Sequence, residues 1–386
     1  MRKVNLLKLF KNFRVYAPED LGIKDVLVAD GRIAEIADNI PEPQGLTSLQ
    51  VISGEGRILM PGFIDGHVHI LGGGGEGGPA TRTPEITLSE ITRWGVTTVI
   101  GVLGTDGTTR SLESLITKAK ALELEGITTY CYTGAYEVPT PTITKNVRDD
   151  VILIEKFIGV GEVAISDHRS SMPSLAELGR LAMEARVGGL LGGKAGIAHF
   201  HVGPGEEGIN PLFDLLAQSD VPIQNLLPTH MARSKMLLDQ GVCLAKMGGH
   251  MDITAGSKAT EAILYCLKEG APLERITISS DGNGSLPRFD EKGNYIGLGV
   301  GSVETVYRNF VELVQAGLSI SEALHIVGHN QARFFGWADQ KGSIKAGADA
   351  DILIMDENLQ IDQVWAKGRK MVDKGRPIVF GTFEKP

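Results

Sequence analysis

Residues 61–69 read Pro-Gly-Phe-Ile-Asp-Gly-His-Val-His. A Pro-Gly turn signal opens a short apolar run, and the run closes on two histidines two positions apart. In an extended strand residues i and i+2 face the same side, so His67 and His69 aim at one point. The same design recurs downstream at Val96–Leu103, Ile127–Thr133, Val160–Ser166, Gly196–His201, Ile223–His230, His250–Thr254 and Ile276–Asp281, which with Gly62–His69 makes eight strand candidates. Between them, Arg110–Glu125, Leu175–Val187 and Val303–Ala316 carry apolar residues at helical spacing. Repeated strand–helix alternation predicts an α/β chain whose parallel sheet closes as a (β/α)₈ TIM barrel, with its chemistry at the C-terminal strand ends.

Outside that middle the chain changes character. Val26–Ala37 reads as two short strands around the hairpin dipeptide Asp30-Gly31, and Asp351–Met355 with Gln363–Val372 gives similar signals. The two ends are expected to form one small, discontinuous β-sandwich domain from residues 1–60 and 342–386, leaving 61–341 for the barrel. Hydrophobic residues at 42% and charged residues at 22% of 386 describe an ordinary globular core. A formal charge of −9 without a Lys/Arg cluster argues against nucleic acid as a partner and for a small-molecule substrate. Cys131, Cys243 and Cys266 lack any paired spacing and read as buried thiols. At Met1–Phe10, Asn5 and Lys8 interrupt what a signal peptide would need as an apolar run, and no stretch approaches the ~20 residues of a membrane span. Cytoplasmic residence without a membrane is the expectation.

A His-x-His pair alone is more often two satisfied polar histidines than a metal site, and its weight here comes from its company. His201 ends the fifth strand candidate, His230 the sixth and Asp281 the eighth, so separate strands bring imidazoles and a carboxylate to one rim. Those donors suit Zn²⁺ and similar divalent ions. Glu162, on the fourth candidate, is the natural bridge between two such ions. Bound there, two divalent cations, zinc by preference, would activate water for hydrolysis, with Asp281 as the proton carrier. Other features take plainer readings. Gly188–Lys194 fits a phosphate-loop spacing, but Ala195 stands where Ser or Thr is needed and the order is helix before strand. His199 shares the parity of His201 yet lies deeper, and His168, His250, His325 and His329 are accounted for by supporting, core or surface roles.

PGFIDGHVH (61–69), the fourth-strand carboxylate, the two later histidines and SSDGNGS (279–285) resemble the amidohydrolase superfamily. LGGGGEGGP (71–79), TGAYEVP (133–139), AISDHRS (164–170), LLPTHMARS (226–234) and GTFE (381–384) resemble the isoaspartyl dipeptidase family within it, from about Leu7 to Glu384. The resemblance implies cleavage of the β-aspartyl isopeptide bond of isoaspartyl dipeptides, in a homo-oligomer. It implies metal ligands His67, His69, Glu162, His201, His230 and Asp281, with Asp281 and Tyr136 catalytic, the tyrosine donating to the oxyanion. For substrate it implies Glu76 on the ammonium, Arg169 and Arg233 on carboxylates, and Gly74, Thr105 and Ser285 as further contacts. One departure stands out: the family has a carboxylated lysine where GVGEVAISDHRS (159–170) has Glu162. Direct bridging by the glutamate is the favoured reading, since an ionised carboxylate carries the same charge. Two alternatives remain: another amidohydrolase, a cyclic amidase or deaminase, or a catalytically silent barrel scaffold.

Overall fold

The computed structural model describes residues 7–42, 45, 48–289 and 295–385, so the Met1–Leu6 part of the N-terminal reading lies outside the described residues. All eight expected barrel strands are present, as Phe63–Val68, Val96–Gly101, Thr128–Thr133, Phe157–Ile165, Ile197–Val202, Leu226–Thr229, Met251–Thr254 and Ile276–Ser279. Nearly every residue in them is buried. That is why they read as continuous apolar runs rather than alternating ones: a parallel barrel covers both faces of its strands. The first six pair in order as one parallel sheet, and the seventh pairs with the eighth. Backbone bonds close the ring. Met231 N donates to Asp252 O at 3.2 Å, joining the sixth and seventh strands, and His69 N donates to Gly282 O at 2.9 Å, joining the eighth to the first.

A helix follows each strand, from Leu88–Thr92 after the first to Glu304–Gln315 after the eighth. The helix after the fourth strand, Leu175–Gly192, starts on a capping box in which Ser174 and Glu177 satisfy each other's backbone N–H groups. It ends at Gly193 in the left-handed region. The phosphate-loop spacing therefore sits on a helix C-terminus, where Lys194 Nζ donates to the Val151 and Ile154 carbonyls.

The chain ends meet in one nine-stranded sheet. Asp20–Ala29 and Arg32–Ala37 form the expected hairpin, with Asp30 and Gly31 both at positive φ (48° and 77°), as a type I′ turn requires. Ile58–Pro61 pairs antiparallel with Ile352–Met355 and leads straight into the first barrel strand. This sheet has its own apolar core, in which Phe10, Phe13, Val28, Ile33, Ile352 and Trp365 meet.

Three features depart from the sequence reading or extend it. Cys131 and Cys266 are buried, but Cys243 is exposed on the outer face of helix Lys235–Lys246, whose Leu237, Val242 and Leu244 turn inward instead. A hairpin of Ser285–Phe289 and Tyr295–Val300 follows the eighth strand, and Leu7–Tyr16 forms a long N-terminal strand. Among the described residues no helix is long and apolar enough to cross a membrane.

Candidate active site at the C-terminal mouth of the barrel

The strand ends converge on Glu162, whose side chain is fully buried. Its two oxygens divide the histidines between them. Oε1 lies 3.2 Å from His67 Nε2 and 3.6 Å from His69 Nε2. Oε2 lies 3.2 Å from His201 Nδ1 and 3.8 Å from His230 Nε2. Asp281 Oδ1 closes the first group, 3.0 Å from His69 Nε2 and 3.5 Å from His67 Nε2. Within each trio built on Glu162 the ligand atoms lie within 4.8 Å of one another, the spacing of donors around a shared cation. His67 Nε2 and Glu162 Oε1 are buried and close, yet neither makes a hydrogen bond. A buried polar pair left without a bond is costly unless a third party stands between them. An imidazole and carboxylate set of this kind fits a divalent ion.

The electrostatics agree. Burial alone would lower the His67 imidazole pKa, but the Glu162 and Asp281 carboxylates outweigh it and raise it to about 9. Burial would raise Glu162 and Asp281, yet the surrounding imidazoles hold both well below the usual carboxylate range. Two ionised carboxylates at a buried point make a standing demand for positive charge.

Local backbone aims these groups. His230 and Asp281 follow their strands with φ of 66° and 52°, a sparsely populated region for side chains of their size. His230 Nδ1 is held by Thr254 Oγ1 at 2.6 Å. His69 is walled by glycines: a Cβ on Gly104 would lie 2.5 Å from its Cε1, and one on Gly284 2.9 Å from its Cδ2.

Beside the histidine pairs stand the remaining residues expected from the sequence. Glu76 accepts from Thr105 Oγ1 at 3.1 Å, Ser285 Oγ at 3.3 Å and Arg169 at 3.3 Å. Gly74, at φ 72°, backs onto Ser285, where a Cβ would lie 3.1 Å from the serine Cβ. Arg233 donates to the Val202 carbonyl and lies 3.1 Å from His201 Nε2. Tyr136 is buried, its hydroxyl 2.6 Å from His201 Nδ1 and its ring under the Arg169 guanidinium at 5.2 Å. The structure thus brings the candidate metal-, substrate- and proton-handling residues to one mouth. His199 packs edge-on against His67 with ring centroids 5.0 Å apart, and burial lowers its pKa to about 3, which keeps it neutral.

Sequence reasoning missed Asp167, Gly104, Gly284 and Thr254. Asp167 lay within the quoted AISDHRS stretch, but nothing there says that it faces His201. A cavity of about 1060 Å³ lies elsewhere, lined by residues such as Glu123, Tyr130, Lys341 and Trp365. Its Lys341, Lys367 and Lys370 are each already paired with carboxylates.

The fold and site define a class: the chain belongs to the amidohydrolase family, whose sequence profile matches residues 58–371. More particularly, it is similar to the beta-aspartyl dipeptidase of the thermophilic, keratin-degrading Fervidobacterium islandicum AW-1, solved in complex with a beta-Asp-Leu dipeptide. That likeness is 47% identity over 96% of this chain and 98% of the other, with a TM-score of 0.89. Dihydropyrimidinase from Brevibacillus agri shares the fold at 17% identity and a TM-score of 0.68, covering 98% of this chain and all (100%) of its own. The adenine deaminase of Lactobacillus delbrueckii subsp. bulgaricus is 23% identical over 95% of this chain, which spans 59% of that relative's length.

Proposed function

We propose that this protein hydrolyses the β-aspartyl isopeptide bond of isoaspartyl dipeptides, using two divalent ions held by His67, His69 and Asp281 on one side and His201 and His230 on the other. The observation that carries the reading is Glu162, with one oxygen turned to each histidine pair. Bound there, the ions, zinc by the donor chemistry, would supply Lewis acidity for a carbonyl and bring the pKa of water down towards neutrality.

The protein's own groups do the rest. Asp281, held ionised, accepts the attacking water's proton and returns it to the departing nitrogen. The Tyr136 hydroxyl, kept protonated because burial raises it well above its usual range, donates to the carbonyl oxygen as charge builds there. An isoaspartyl dipeptide carries one ammonium and two carboxylates. Glu76 matches the first, while Arg169 and Arg233 match the others through guanidinium forks. Thr105, Ser285 and the open backbone at Gly74 shape the wall around Glu76. A neutral cyclic amide or an adenine ring has no use for this charge pattern, which favours the dipeptidase reading over a cyclic amidase or deaminase. The likeness to the Fervidobacterium enzyme supports the same choice.

Residues 1–60 and 342–386 are read as one β-sandwich flanking a barrel of 61–341; the Ile58–Pro61 pairing with Ile352–Met355 supports the union of the two chain ends. A homo-oligomer in the cytoplasm completes the reading, and three unpaired thiols are consistent with a reducing compartment.

The test uses purified protein supplied with zinc. β-Asp-Leu should be cleaved and α-Asp-Leu largely spared, and metal analysis should find about two divalent ions per chain. The opposite preference between the two peptides would retire the dipeptidase assignment, and a protein that takes up no metal would return the barrel to a scaffold. Because Glu162 needs no carboxylation, activity and metal content should not respond to added bicarbonate.

A further inference from the structure

The geometry points to Asp167 as a positioning residue that selects the metal-binding tautomer of His201 while holding Arg169 in place. This rests on the dipeptidase reading, in which His201 is a metal ligand. The His201 ring stands between two different environments. Its Nδ1 faces Glu162 Oε2 at 3.2 Å, His230 Nε2 at 2.9 Å and the Tyr136 hydroxyl at 2.6 Å. Its Nε2 faces Asp167 Oδ2 at 3.1 Å, Arg169 Nη2 at 3.0 Å and Arg233 Nη1 at 3.1 Å, with the Tyr136 hydroxyl further off at 3.3 Å.

A neutral imidazole has one N–H and one lone pair, and a ligand must keep its lone pair for the cation. Glu162 and His230 lie on the Nδ1 side, so the proton belongs on Nε2. Two of the four neighbours there are guanidinium groups, which only donate. Left alone with them, His201 would place its lone pair on Nε2 to receive their hydrogens and its proton on Nδ1, the form that cannot ligate. Asp167 is the one carboxylate at that nitrogen, nearer than the Tyr136 hydroxyl, and its side chain is fully buried.

The same carboxylate grips Arg169. Asp167 Oδ1 accepts from Arg169 Nε at 2.9 Å and its backbone N at 2.8 Å, and Oδ2 accepts from Nη2 at 2.8 Å. One buried side chain therefore ties the tautomer of a metal ligand to the pose of a substrate clamp.

Asp167→Asn tests this, because the amide can still accept from Arg169 with its oxygen while turning an NH₂ towards His201. In ¹⁵N-histidine spectra of metal-free protein, the share of His201 carrying its proton on Nε2 should be larger in the wild type than in the variant, where Glu162 beside Nδ1 is left as the nearest carboxylate. Zinc titration against a competing chelator should show one of the two sites weakened about 10–100-fold and the other unchanged. Asp167→Glu, which keeps the acceptor, should restore the Nε2 proton, and it takes over the test if the asparagine variant does not fold. Arg169→Met should raise KM while leaving zinc affinity near the wild-type value, separating the two tasks. A His201 proton that stays on Nε2 in Asp167→Asn, or zinc affinity equal to the wild type at both sites, overturns the inference while leaving the hydrolase reading intact. Wild-type protein that binds no zinc overturns the hydrolase reading, and the tautomer spectra still decide the role of Asp167.

Discussion

Whatever joins the two histidine pairs needs one negative charge and two lone-pair directions that diverge, and a glutamate offers both. Glu162→Gln keeps the shape but removes the charge, so divalent content should fall by at least about tenfold; near-normal metal content by mass spectrometry would refute the bridging role. Gly104 sets a steric limit on the same centre. Gly104→Ala puts a methyl against His69 Cε1 at a position where φ is 77°. Backbone strain of about 1–3 kcal/mol should appear as a lower melting temperature, together with weaker binding of one ion rather than both. Arg233→Met removes a charged hydrogen-bond donor of about 1.5–3 kcal/mol, so KM for β-Asp-Leu should rise by roughly tenfold to a hundredfold with kcat changed far less. The placement of the proposed ligands was legible beforehand, because the strand ends of a barrel follow apolar runs. Asp167 and Thr254 were not, since their roles come from what they touch across the barrel mouth. Cys243 went astray because a lone cysteine without paired spacing reads as a buried thiol, whereas its place on the outer face of helix Lys235–Lys246 exposes it.

At the level of elements, the strands could be read because burial on both faces leaves an unbroken apolar signature, and the Asp30-Gly31 hairpin because only certain residues tolerate its backbone. Several elements escaped notice, and two of them show why. Leu7–Tyr16 shifts register between Phe10 and Phe13, where Asn12 takes a φ of 59°, and the irregularity hides the strand's alternation. The arms of the hairpin, Ser285–Phe289 and Tyr295–Val300, are separated by five residues, longer than the two-residue spacing that marks a tight hairpin. Helix Leu175–Gly192 packs behind the strand that carries Glu162, so its cap bears on the site. Ser174→Ala breaks the capping box and should lower stability by about 1 kcal/mol, measurable as a shift in urea midpoint with the slope unchanged. An unshifted midpoint would mean that the cap contributes nothing.

Across the whole molecule, one buried lysine ties the barrel to the sheet made by the chain ends. Lys341 Nζ donates to Thr128 Oγ1 at the start of the third barrel strand and to Asp351 Oδ2, both at 2.6 Å, and lies 2.8 Å from Asp349. Lys341→Met strands those carboxylates and should cost about 3–5 kcal/mol. Burial lowers the Lys341 pKa, but the two aspartates outweigh it and the net shift is upward. A group whose folded pKa is raised stabilises in full below its unfolded value, about 10.4, and loses that contribution as pH climbs through the folded one. The stability gap between wild type and Lys341→Met should therefore be constant from pH 7 to 9 and narrow above about 10.4, and a gap that widens there would contradict the assignment. The bond from His69 N to Gly282 O, which shuts the barrel, carries a consequence for how the protein is made. At roughly 5–20 residues per second a ribosome needs about 10–40 s to travel from one partner to the other, and for that interval the first strand waits with a raw edge. A nascent chain halted just after His230 already owns every imidazole of the centre, yet we expect it to hold zinc no better than an unfolded peptide until synthesis passes Gly282.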